Sequence, residues 1–209
     1  MAKVVAFEDQ KEVAPTNVLR KVPSRPKNRE VRSREHLVPD EVAALMKAAG
    51  NVGRHRLRDH TMILVAYRHG LRVSELVGLK WDQFDLKRSQ VHINRLKNGS
   101  ASTHPIEGDE LRLLRRMLRE YSDTPYVFTT ERGGPLTRST VSKLISRAGL
   151  DAGLAFPVHP HMLRHGTGYY LANKGVPTRT IQAYLGHRSI QHTVRYTDLA
   201  SSAFTGLWC

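Results

Sequence analysis

From Leu37 onward the spacing of apolar residues becomes helical; before it, it does not. In "LVPDEVAALMKAAG" Pro39 suits a first helical position, Asp40 and Glu41 suit the first turn, and Gly50 suits the stop. "RLRDHTMILVAYRHG" reads as a second, largely buried helix ending at Gly70. "VSELVGL" predicts a short third helix. "QVHINRL" then alternates with period two, "KNGS" carries an Asn-Gly turn, and "ASTHPI" returns, so residues 90–106 read as a β-hairpin. "DELRLLRRMLREY" is amphipathic, with Leu111, Leu114 and Leu118 assigned to one face and Arg112, Arg115, Arg116 and Arg119 to a solvated one. Helices follow in "TRSTVSKLISRAGLDAG", "HPHMLRHGTGYY", "PTRTIQAYLGH" and "SIQHTVRY", with no internal repeat. The pattern predicts a mainly α protein with a small antiparallel β-sheet, an α+β fold.

The segment before this pattern, residues 1–36, alternates basic residues with Pro, Ser and Asn in "VLRKVPSRPKNREVRSR". It reads as a flexible basic arm or a plain solvated tail. The chain has 209 residues and 40% hydrophobic content, enough for one ordinary core. Its 33 Lys and Arg against 19 Asp and Glu give a formal net charge of +14, which points to a polyanionic partner. Nucleic acid leads, and an anionic membrane surface comes second. No apolar run is long enough to span a bilayer, and the N-terminus has no secretory h-region. The one cysteine is Cys209, so there is no disulfide framework. A cytoplasmic protein is the simplest expectation.

"HPHMLRH" raises the chemical question. His161, Arg164 and His165 are three and four apart, and so neighbours on a helix. A guanidinium crowded by imidazoles asks for an anion above it. A zinc site at His159, His161 and His165 is the competing reading. Arg164 among the ligands repels a dication, and no His-Glu-x-x-His occurs. Four further residues join the set: Arg72 between two helices, Lys97 at the hairpin tip, His187 after a helix-ending glycine, and Tyr196 nine residues later. Taken singly, each is most simply a solvated or capping residue. Together, two arginines and two histidines suit one phosphate. A phenol supplies a nucleophile that nearby cations shift toward phenolate. Tyr169, Tyr170 and Tyr184 sit among apolar neighbours and read as core or edge residues. His165 reads as a structural hydrogen-bonding residue, and His159 as part of the helix start.

The stretches "GLRVSELVGLKWDQFD", "RLKNG", "HPHMLRH", "LGH" and the tyrosine nine residues beyond that histidine stand in one order at characteristic spacing. In this the chain resembles the catalytic domain of the tyrosine recombinases, the phage integrase family, over residues 37–199. Within it, "INRLKNGSASTHPI", the long run from "HPHMLRH" to "HTVRYT", and the ending "FTGLW" are similar to the short fimbrial phase-variation DNA invertases. The resemblance implies that Arg72 and Arg164 clamp the scissile phosphate and that Lys97 is the general acid toward the 5′-oxygen. His161 and His187 are implied to assist proton transfer, and Tyr196 to form a 3′-phosphotyrosyl bond. It implies double-stranded DNA with inverted-repeat sites as substrate, a homotetramer on paired sites and possible accessory DNA-bending proteins. It implies action at the bacterial nucleoid, with no metal or other cofactor. Larger relatives carry an N-terminal core-binding domain; a 36-residue arm buries too little surface to form one. The expected division is arm 1–36, catalytic domain 37–199 and tail 200–209, with Phe204, Leu207 and Trp208 available to a neighbouring protomer or to their own domain. Integration or excision of a mobile element, a supercoil-relaxing topoisomerase, and a DNA-binding regulator without the chemistry are the alternatives.

Overall fold

The computed structural model describes residues 34–95, 100–121 and 124–198. The expected arm up to Ser33, the tail from 200 onward, and Lys97 lie outside the described residues.

Helix α1 (Pro39–Asn51) starts where expected, with the Glu41 carboxylate accepting the Val38 N–H at 3.0 Å. It runs one residue past Gly50. Helix α2 (Arg56–Arg68) is largely buried, as its uniformly apolar centre demands. Met62, Ile63 and Val65 are fully buried. After the short α3 (Val73–Val77) the chain makes a single 3-10 turn and enters β1 (Phe84–Asp85), β2 (Gln90–Ile93) and β3 (Ser102–Pro105). These form one antiparallel sheet in the order β1-β2-β3, with Phe84 opposite Val91 and Val91 opposite His104. The hairpin is therefore present but shorter than the alternation suggested. The two-residue β1 is too brief to leave a period-two signal.

Helix α4 (Gly108–Glu120) corrects one expectation. Leu114 and Met117 are its buried apolar residues, whereas Leu118 is exposed. Glu110 shares the buried face, because its carboxylate meets the buried His69 ring nitrogen at 2.9 Å. The four arginines of α4 do lie on the exposed side. Helix α5 (Arg138–Asp151) is capped by the Thr137 hydroxyl, which accepts the Thr140 N–H at 3.1 Å.

The last three helices carry the site. Helix α6 (Pro160–Asn173) buries Met162 and Leu163 in the main core. Its second half turns to a smaller core with α7 (Thr178–Leu185) and α8 (Gln191–Thr197), built on Ala172, Ile181, Leu185 and Tyr196. The fold is thus mainly helical with a three-stranded antiparallel sheet, as the sequence pattern predicts. Among the described residues no helix is long and apolar enough to cross a membrane.

Candidate active site

A cleft of about 310 Å³ opens where the α2–α3 junction, α6, the end of α7 and α8 meet. Among the described residues its lining consists of four arginines, four histidines, Gly186 and Tyr196. Arg72, His161, Arg164, His187 and Tyr196, drawn from four separate stretches of sequence, are all among them. His165, assigned to structure from sequence, lines the same cleft. Lys97, the sixth candidate, lies outside the described residues.

Arg72, Arg164 and His187 are each held by hydrogen bonds. Arg72 sits just before α3, and its Nη1 donates to the Glu75 carboxylate at 2.7 Å. Glu75 also accepts the Arg72 backbone N–H at 2.9 Å, so one carboxylate fixes both ends of the residue. Arg164 is buried on α6. Its Nη2 donates to the Leu185 carbonyl at 2.7 Å and its Nη1 to the Gly70 carbonyl. Burial, helped by Arg72 and Arg95, lowers its proton affinity to about 9, still charged at neutral pH. His187 follows Gly186, whose φ of +62° is the left-handed turn that ends α7. The His187 Nδ1 lies 2.8 Å from the Thr193 hydroxyl. Desolvation, then Arg164 and Arg72, depress its proton affinity to about 3, so the imidazole is neutral.

Tyr196 is only 1% exposed. Its hydroxyl lies 2.8 Å from His165 Nδ1, and its ring meets Tyr169 edge-on at 5.1 Å. His165 is neutral as well, pushed down to about 4 by burial and then by Arg195. In the tautomer with Nε2–H, its Nδ1 accepts the phenol proton. Burial raises the phenol's pKa, and this outweighs the opposing pull of Arg164 and Arg195. That corrects the expectation that the cations tip Tyr196 toward phenolate: desolvation outweighs them. The ring fits because residue 168 is glycine. A Cβ there meets the Tyr196 ring at 2.6 Å.

Two residues of this network were missed. Glu75 had a signal, since an acid three residues after a helix-preceding residue is the N-terminal pattern of a helix. Arg95 had one too. Val91, Ile93 and Arg95 are all buried while Gln90, His92 and Asn94 are exposed, so the inward register simply continues onto an arginine.

The arrangement can hold one tetrahedral anion on permanent cations, with a phenol and neutral imidazoles beside it. Comparisons with known proteins identify the family. The phage integrase family model matches residues 35–202, and the chain belongs to that family, the tyrosine recombinases. It is 44% identical over 181 residues to the type 1 fimbriae regulatory protein FimE of Escherichia coli K12, covering 84% of this chain and 91% of the relative. It is 41% identical to FimB of the same strain over 182 residues, covering 85% and 90%. The crystal structure of XerA recombinase superposes with a TM-score of 0.72 at 29% identity, covering 83% of this chain and 63% of that one.

Proposed function

We propose that the protein is a site-specific DNA recombinase that breaks and rejoins strands through Tyr196. The observation that carries this reading is the presence of Tyr196, Arg72 and Arg164 on one cleft. Arg72 and Arg164 grip the non-bridging oxygens of the scissile phosphodiester. The Tyr196 oxygen passes its proton to the neighbouring His165 imidazole and attacks phosphorus. The bond to the 5′-oxygen breaks, and that oxygen takes up a proton from Lys97, the general acid. A 3′-phosphotyrosyl bond remains, and a 5′-hydroxyl of the partner strand later attacks it, returning the phenol. His161 and His187 hydrogen-bond the phosphate and ease the proton transfers. The guanidiniums lower the barrier to the extent that they fit the crowded phosphorane better than the ground-state diester.

The substrate is double-stranded DNA carrying inverted-repeat sites, and the outcome is inversion of the segment between them. The likeness to the fimbriae regulatory proteins supports inversion over integration or excision. Residues 37–199 form the catalytic domain. The active assembly is a tetramer on paired sites. The reaction takes place at the bacterial nucleoid in the cytoplasm.

A nicked suicide substrate tests the chemistry. Wild type forms a denaturant-resistant protein–DNA adduct, and Tyr196→Phe binds the same DNA without forming one. A wild type that binds but never yields the adduct is a DNA-binding regulator instead. Inversion itself is read from a plasmid carrying two inverted sites, by restriction mapping. Relaxed circles without inverted products mark a topoisomerase.

A further inference from the structure

Arg95 stands at the end of the inward-facing register of β2, and its side chain is 0% exposed. Its Nη1 donates to Glu75 Oε2 at 2.9 Å, the same oxygen that accepts the Arg72 backbone N–H. Its Nη2 donates to the His69 carbonyl at 3.1 Å and to the Tyr184 carbonyl. Arg164 does the same one residue further along both segments, bonding the Gly70 and Leu185 carbonyls. Two guanidiniums thus bridge the end of α2 to the end of α7 side by side. One lines the cleft; the other lies beneath it.

The stem of Arg95 is seated against Gly186, where a Cβ meets Arg95 Cγ at 2.6 Å. The turn that delivers His187 is therefore closed over Arg95. A carboxylate as buried as Glu75 needs compensating donors. Arg95 supplies the deep one, and Arg72 the one that faces the cleft.

We infer that Arg95 is a positioning residue for the recombination chemistry: it orients Glu75 so that Glu75 holds the Arg72 guanidinium at the scissile phosphate. The inference rests on the recombinase reading above. Arg95 touches neither DNA nor the reacting atoms. Its effect belongs to the rate of strand cleavage and not to DNA affinity. A lysine at position 95 keeps the charge opposite Glu75 but has no planar fork to bridge a carboxylate and two carbonyls.

The test is single-turnover adduct formation on the suicide substrate at saturating DNA, with the dissociation constant measured alongside and rates normalised to binding-competent protein. Arg95→Lys and Glu75→Gln are each expected to slow adduct formation roughly 10–100-fold, the order that a misplaced catalytic group costs. DNA affinity should stay within about threefold. The Arg95→Lys/Glu75→Gln double variant should fall no more than about threefold below the slower single variant, because both act on one contact. Arg95→Met serves as a second removal of the fork. Wild-type rates in Arg95→Lys, a loss of affinity equal to the loss of rate, or multiplied losses in the double variant overturn the inference. A wild type that forms no adduct sinks the recombinase reading, and the inference with it; an active wild type beside an unaffected Arg95→Lys sinks the inference alone.

Discussion

His165 Nδ1 and the Tyr196 hydroxyl meet at 2.8 Å across the interface of α6 and α8. The pair joins a nucleophile candidate to an imidazole that burial keeps neutral, and so free to accept a proton. His165→Ala should slow adduct formation at least about tenfold, the lower side of what a positioned base contributes. DNA affinity should change little. Rates from the suicide substrate check this, and an unchanged rate would assign His165 to structure alone.

The fit of the Tyr196 ring over residue 168 makes a second prediction. Gly168→Ala places a methyl 2.6–2.7 Å from ring carbons of Tyr196, closer than van der Waals contact allows. The ring must shift or the helices must part. Overpacking of this kind costs about 1–3 kcal/mol. We expect a lower melting temperature and a loss of adduct formation larger than the loss of DNA binding, by calorimetry and gel shift. A variant as stable and as active as wild type would mean that the ring is not held there.

Stability should depend on pH in a window set by three histidines. Desolvation leads in each: it takes His104 to about 3, with His69 and Arg95 adding to it, His187 to about 3, and His165 to about 4. The unfolded chain takes up these protons near pH 6.5, the folded chain only near pH 3–4. The unfolded state thus binds more protons between those limits, and stability falls as pH drops through them. Melting temperature should decline steadily from pH 6.5 to 4.5. Replacing His104 with Gln should flatten part of the slope, and a flat profile in wild type would contradict the burial of these rings.

Binding should be dominated by phosphate contacts, given a formal net charge of +14. If about 6–10 phosphates are neutralised, affinity for duplex DNA drops roughly 10³–10⁵-fold between 50 and 200 mM salt. A gel-shift titration measures the slope. A shallow slope would speak against a backbone-gripping surface.

Much of this was legible in sequence, and the exceptions have physical reasons. The helices were readable because their buried faces repeat at helical spacing. Leu118 was misplaced on α4 because leucine at i+7 from Leu111 looks inward, while Met117 takes that place in the structure. The cleft residues were found as types suited to a phosphate, but their state was not. That Tyr196 is buried, with its pKa raised, depends on Gly168, Tyr169 and the small core of α6–α8. No local pattern encodes that packing. Arg95 was missed: the alternation carries it inward, but its partners lie 20 residues before it and 89 after it, beyond any periodicity argument.

The most direct measurement is to trap the covalent complex on a suicide substrate, digest it and locate the nucleotide remnant by mass spectrometry. The remnant should sit on the peptide containing Tyr196, and on that residue. A remnant on Tyr169, Tyr170, Tyr184 or any other side chain would contradict the account.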